Sequence, residues 1–162
     1  MDINWKRLIL SGSAIIFFVC LPFVLCSTWF LNKTQGWIDQ NPKGSKAPWA
    51  QFEIGWIYLT TLRPEQAVEP FQRYIKNYDP GPPPTEGTPE KMQSYKEAAD
   101  RHAEAMFDYA LSLDEWATAS IGHYEVRVRA RDAYEQFKEK YPGHPEVSKA
   151  EMAINRLNVQ LK

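Results

Sequence analysis

An uninterrupted apolar run near the N-terminus constrains this 162-residue chain more than any other feature. The segment Leu8–Phe30 (LILSGSAIIFFVCLPFVLCSTWF) holds 23 residues and no charged side chain. A helix of that length, rising about 1.5 Å per residue, covers the roughly 30 Å hydrocarbon core of a bilayer. A helix also pairs its backbone N–H and C=O groups internally, which is required in lipid because lipid tails offer no hydrogen-bond partners. The sequence therefore predicts a single membrane-spanning anchor, kinked near its middle by Pro22.

Tryptophans and basic residues flank this run. Trp5 precedes it, Trp29 lies at its end and Trp37 follows it, so we predict that these three side chains lie at the membrane interface. Lys6 and Arg7 lie directly before the run, whereas basic residues beyond it are more dispersed. This bias favours a cytoplasmic N-terminus and an exported C-terminal domain.

Two other interpretations of the run remain open. A cleaved secretory signal would also begin with basic residues, but its apolar core spans about 7–15 residues and ends at a small-x-small cleavage site that is missing here. A lipoprotein signal ending at Cys26 is the second, although Leu25 stands where a small residue is usual. Because Cys20 and Cys26 both lie inside the run, the rest of the chain has no disulfide and no thiolate metal site.

The remaining residues have the length and charge of one soluble domain. Beyond residue 30 the chain holds 17 Lys and Arg against 19 Asp and Glu, a net charge of −2. That balance gives no basic stripe of the kind that binds nucleic acid. We predict an anchor and juxtamembrane helix over residues 1–40 (span about 8–30), a linker over 41–47, and a helical domain over 48–162.

Helical periodicity recurs throughout that domain. Apolar side chains at helical spacing, with prolines near several starts, predict helices over about 48–62, 64–78, 89–113, 124–141 and 145–161. Pro70 should kink the second of these. The segment Asp79–Pro89 holds five prolines and two glycines and is typical of an extended spacer, with a docking peptide as the alternative. We expect the segment Asp114–His123 to be irregular.

Part of this helical pattern occurs twice. The pattern Ala67-x3-Phe71-x2-Tyr74-x3-Tyr78 returns 63 residues later as Ala130-x3-Tyr134-x2-Phe137-x3-Tyr141. The pattern Tyr58-x3-Leu62 returns 51 residues later as Tyr109-x3-Leu113. The difference of 12 residues predicts an insertion between the two helices of the second unit. Two helix-turn-helix units and a closing helix follow, and stacking buries the apolar face that each unit exposes alone.

These units resemble the tetratricopeptide repeat family. In the first unit the family's usual places are taken by Ile54, Gly55, Tyr58, Ala67, Phe71 and Tyr78-Asp79-Pro80. The second unit keeps Tyr109, Ala130, Tyr134 and Pro142, but Met106 stands where a small residue is expected. The resemblance implies an all-α fold and binding to other proteins. The second unit is also similar to bacterial envelope proteins of the outer-membrane-assembly and Tol-Pal-associated kind, which implies an inner-membrane protein with a periplasmic domain.

The resemblance also implies a partner-binding surface, because the first helices of family members line a concave groove. The predicted partner-binding residues are Trp49, Phe52 and Trp56 in the first unit and, at the offset of 51, Asp100, Ala103 and Phe107 in the second. Large aromatic side chains bury much area at low entropic cost. Packing of the three first-unit aromatics on the membrane-proximal linker or on the bilayer is the alternative.

Patterns typical of enzymes and cofactor sites are missing. His102, His123 and His144 are scattered, and no haem, phosphate-loop or nucleophile-elbow motif occurs. The acidic row Glu97, Asp100, Glu104 and Asp108 is typical of a solvated helix face. We therefore predict a protein with no catalytic activity, metal or cofactor.

The predicted role is contact with other proteins. We expect an accessory or scaffold subunit of a larger membrane complex, a respiratory or photosynthetic complex being one setting. Its partners would be other protein subunits and membrane lipid, with no nucleic acid and no small-molecule substrate. A periplasmic adaptor or chaperone in envelope biogenesis is the alternative, and a membrane-tethered enzyme is a third hypothesis.

Overall fold

The computed structural model describes residues 28–119 and 123–162. This part of the chain folds into helices and contains no strand, and the helices are α1 Thr28–Gln40, α2 Ala47–Thr60, α3 Pro64–Asn77, α4 Pro89–Ala119, α5 Tyr124–Lys140 and α6 Val147–Gln160. Helices α2 and α3 pack as one hairpin, α4 and α5 as a second, and α6 packs on α5. Helices α3 and α4 join the two hairpins. The predicted all-α fold is confirmed for these residues.

The predicted membrane span lies outside the described residues, except for its last three residues, which begin α1. The same holds for Trp5. Trp29 and Trp37 lie on α1 with 67% and 43% of their surface exposed. Within the two described ranges, no helix combines the length and apolar character that crossing a membrane requires. The membrane-interface role of the tryptophans stays a prediction.

Helix α1 packs on the first hairpin. Leu31 and Ile38 are buried in the same core cluster as α2 and α3. The side-chain amides of Gln35 and Gln51 exchange two hydrogen bonds of 3.1 Å. Gln51 is itself 1% exposed and also donates to the carbonyl oxygen of Pro70. Helix α1 is therefore part of the helical stack.

The long helix α4 ends later in the sequence than predicted. We expected it to end near Leu113, but it continues to Ala119. Asp114 is 5% exposed and Ala117 is 1% exposed, so the added turns face the core. The carboxylate of Asp114 pairs with Arg156 of α6 and accepts a hydrogen bond of 3.5 Å from the hydroxyl of Tyr134 in α5. These partners are 20 and 42 residues away, and local patterning does not reveal them.

A close approach between α2 and α3 explains one glycine of the first hairpin. Phe71 is fully buried, and its ring lies directly against Gly55. A β-carbon at Gly55 would lie 2.8 Å from the nearest ring carbon, which is shorter than van der Waals contact. A residue without a side chain is therefore required for this helix pair to approach as closely as it does.

A buried histidine connects three helices. The His102 ring of α4 lies 3.1 Å from the carbonyl oxygen of Ile75 and 2.9 Å from the hydroxyl of Tyr141. Because a carbonyl oxygen only accepts, Nε2 of His102 carries the proton and Nδ1 accepts from the tyrosine. Burial lowers the pKa of His102, since the charged ring loses its hydration. The neutral ring therefore stabilises the junction of α3, α4 and α5.

We expect His102 to make stability depend on pH. Below an unfolded-state pKa of about 6.5 the unfolded chain binds the proton more readily than the folded chain, so stability falls as the pH falls. The difference in free energy of unfolding between the wild type and His102→Gln should therefore decrease from pH 7 to pH 5, by up to about 1 kcal/mol per pH unit. Urea unfolding of both proteins at several pH values measures it, and a difference that is constant with pH would contradict the assignment.

Candidate protein-binding groove

A groove opens where the first helices of the two hairpins meet the start of α6. It encloses about 420 Å³ and is lined by Phe52, Trp56, Glu104, Phe107, Asp108, Glu146 and Lys149. Helix α2 supplies the first two of these residues and α4 the next three. The last two lie at the beginning of α6. The α2 side of the groove is therefore aromatic, whereas the side formed by α4 and the start of α6 carries the charged groups and one further ring, Phe107.

The aromatic side of the groove is held in place by the core beneath it. The ring centroid of Phe52 lies 5.7 Å from that of Phe71 and 5.8 Å from that of Tyr74, in edge-to-face geometry. Such ring pairs contribute about 0.5–1.5 kcal/mol beyond the buried area. Phe52 is only partly buried, so one part of its ring lines the groove while the contacts with Phe71 and Tyr74 fix its position.

The second hairpin repeats this ring packing. Phe107 lies 5.7 Å from Tyr134 and 5.6 Å from Phe137, again edge to face. Tyr134 and Phe137 are the residues that the offset of 63 pairs with the two rings beneath Phe52. Phe107 is therefore the structural counterpart of Phe52.

This correspondence corrects the register predicted for the first helices. The sequence offset of 51 paired Phe107 with Trp56, whereas the contacts pair it with Phe52, at an offset of 55. Ala110, which is fully buried, then takes the place of Gly55 in the second hairpin. The small residue expected at Met106 is thus present one helical turn later. The insertion between α4 and α5 is about 8 residues, the difference between 63 and 55, instead of 12.

The structure brings three of the six predicted partner-binding residues together. Phe52, Trp56 and Phe107 line the groove. Trp49 is 55% exposed but lies outside the lining, as does the exposed Asp100. Ala103 is 1% exposed and belongs to the core, because the register error placed a core position on the groove. Binding of a partner at these positions stays a prediction.

Four charged residues complete the groove, and the sequence did not single them out as binding residues. Glu104 and Asp108 were assigned to a solvated acidic face, but both line the groove and Asp108 is partly buried. Their four-residue spacing, which places both on one helix face, was the available signal. Glu146 and Lys149 reach the groove only because α6 folds back on the second hairpin, and nothing in the local sequence indicates that.

The electrostatics of the groove centre on Asp108. Burial, together with the smaller effect of the negative charges of Glu104 and Glu146, raises the pKa of Asp108 to about 7. The ammonium of Lys149 lies 2.8 Å from a carboxylate oxygen of Glu146, so that cation is already paired. In the described part of the chain no three Asp, Glu, His or Cys side chains are arranged to hold a metal ion.

A family profile matches the first hairpin. The profile described as Tetratricopeptide repeat covers residues 49–79, which include α3 and nearly all of α2. Residues 49–79 form a tetratricopeptide repeat. Among curated proteins, none matches the chain.

The match agrees with the first of the two predicted repeat units. It includes Gly55 and Phe71, whose close contact holds the tetratricopeptide hairpin together. Proteins with tetratricopeptide repeats typically bind other proteins and are typically non-catalytic. The repeat therefore indicates a protein–protein interaction module.

Proposed function

We propose that this protein is a non-enzymatic scaffold subunit of a larger membrane protein complex, and that its concave groove holds a segment of a neighbouring subunit. The observation that supports this most directly is the groove itself, with Phe52 and Phe107 fixed by the core and Trp56 48% exposed beside them. Aromatic side chains held in one conformation lose little entropy on binding and are enriched at interface hot spots.

The second part of the proposal is the anchor. Residues 8–30 would span a bacterial inner membrane, with the N-terminus in the cytoplasm and the repeat domain in the periplasm. The packing of α1 on the first hairpin supports a fixed orientation, because a helix leading from the bilayer would hold the domain directly. The start of α1 lies beside the α2–α3 turn, where Arg63 reaches Thr28 at 3.5 Å. Trp29 and the 86% exposed Leu62 would then face the headgroup region.

Purification through a tag at Lys162, after mild detergent extraction from native membranes, tests this role. We expect a discrete set of protein subunits in fixed stoichiometry with the tagged chain. Substoichiometric and heterogeneous polypeptides would instead support the periplasmic adaptor or chaperone. A tagged chain that purifies as a partnerless monomer would contradict both functions.

A topology reporter tests the anchor separately. Fusion of a compartment-sensitive reporter to Lys162 should report the periplasm, and carbonate washing should leave the chain in the membrane. A cytoplasmic signal would reverse the proposed orientation. Release by carbonate would refute the anchor. The purification experiment would still test whether the protein binds partner subunits.

A further inference from the structure

The groove has an excess of negative charge that the described residues do not neutralise. It contains three carboxylates, from Glu104, Asp108 and Glu146, and one cation, Lys149, which pairs with Glu146. No ion pair joins Glu104 or Asp108 to a basic side chain anywhere in the described ranges. Two acidic groups at i and i+4 of one helix repel each other, and this repulsion is relieved when a cation lies between them.

Among these carboxylates, Asp108 is the one whose negative charge is least favourable in the free protein. It is a partly buried member of the groove lining, and burial together with the like charges of Glu104 and Glu146 opposes its ionisation. A desolvated carboxylate without a cation costs free energy, and a cation brought by a ligand removes that cost. The free groove therefore favours binding of a positively charged group.

The aromatic wall narrows the chemistry of the ligand. A guanidinium group is planar, stacks on aromatic faces, and donates paired hydrogen bonds to carboxylates. Trp56 and Phe52 offer rings on the side of the groove opposite the acids. An ammonium group is compact and strongly hydrated, so it interacts less favourably with the aromatic rings than a guanidinium group does. An acidic peptide or a nucleic acid would be repelled.

We propose that the groove recognises an arginine-containing segment of another protein, with the guanidinium between Asp108 and Glu104 and apolar neighbours on the rings of Trp56 and Phe52. This inference rests on the proposed function, since it requires that the groove be a protein-binding surface. It adds the charge and residue type of the partner, which neither the repeat nor its family profile specifies.

Peptide display on the full chain in detergent micelles tests this inference. A library of random twelve-residue peptides is selected against the wild type, Asp108→Asn, and the control Asp100→Asn. The control removes an exposed acid from the same helix outside the groove. We expect arginine to be enriched at one fixed position, beside apolar residues, for the wild type and Asp100→Asn, and this enrichment to disappear for Asp108→Asn.

Binding measurements with one selected peptide then give the contribution of its arginine to the affinity. Replacing its conserved arginine with glutamine should weaken binding to the wild type at least about tenfold, because one partner of a desolvated charge pair is removed. The same replacement should change binding to Asp108→Asn by less than about threefold. Circular dichroism of Asp108→Asn and of a second variant, Glu104→Gln, checks that both remain helical.

The possible failures can be distinguished. If no variant selects any peptide, the groove is not a peptide-binding surface, and both the inference and the groove part of the proposed function are wrong. If peptides bind but show no preference for arginine, or keep that preference with Asp108→Asn, the inference is wrong. The groove then still binds protein segments, and the proposed function stands.

Discussion

Replacing Arg156 with methionine is expected to lower the free energy of unfolding by about 3 kcal/mol. The guanidinium of Arg156 pairs with Asp114, whose side chain is only 7% exposed. Oδ1 of that carboxylate has no hydrogen-bond partner among the described residues. Methionine preserves much of the apolar stem but removes the cation, so a buried charge is left with only the hydroxyl of Tyr134. Urea unfolding of the full chain in detergent micelles, followed by circular dichroism, measures the loss.

The matched control for Arg156 is Arg73→Met. Arg73 is 42% exposed against 45% for Arg156, and it also pairs with carboxylates, at 2.8 Å and 3.2 Å. Its partners Glu69 and Asp39 are largely exposed, so water replaces the lost cation. We expect a loss below about 1 kcal/mol. Equal losses for the two variants would show that Asp114 is not effectively buried.

Replacing Gly55 with alanine is expected to destabilise the first hairpin by about 1–3 kcal/mol. The new methyl group would lie 2.8 Å from the ring of Phe71, which is fully buried in the core, so either the ring or a helix must shift. This strain exceeds the gain in helix propensity of up to about 1 kcal/mol that alanine otherwise brings. Thermal unfolding of the purified chain should show a lower midpoint.

Gly36→Ala provides the comparison for Gly55→Ala. Gly36 lies inside α1, and a β-carbon there would meet no atom within 4 Å. The same substitution should therefore leave the unfolding midpoint unchanged or raise it slightly, since only the propensity term remains. A stabilising Gly55→Ala would mean that α2 and α3 are further apart than described.

The second helices of the hairpins could be predicted from the sequence because their pattern is strict. Ala67 and Phe71 recur 63 residues later as Ala130 and Tyr134, and all four are at most 2% exposed. A small residue followed by a ring four positions later occupies one helix face, so a shift by one turn would expose the ring. The spacing alone therefore fixed the register.

The first helices did not constrain their register in the same way. Tyr58 and Tyr109 are both aromatic and both followed by leucine four residues later, so an alignment displaced by one helical turn still matches apolar side chains. The ring contacts of Phe52 and Phe107 distinguish the two registers, and these contacts lie between helices. Local periodicity shows which face of a helix is apolar, but it does not show which turn meets a given partner.

Only the aromatic residues of the groove could be predicted from the sequence. Phe52 and Trp56 share a face of one predicted helix, which the spacing reveals. The acidic side combines Asp108 with Glu146, which are 38 positions apart and meet only after α6 packs on α5. Burial of Asp108 depends on the same packing, so its raised pKa could not be predicted from the spacing of acids along α4.

Site-specific photo-crosslinking tests most directly whether the groove is the working surface of this protein. A photoreactive phenylalanine analogue is placed at Trp56, inside the groove, or at Met152, which is 64% exposed on α6 and does not line the groove. After illumination of intact cells that produce the protein, we expect one discrete crosslinked protein from position 56 and none of that mass from position 152. The same product from both positions, or a product from position 152 alone, would contradict the assignment of the groove.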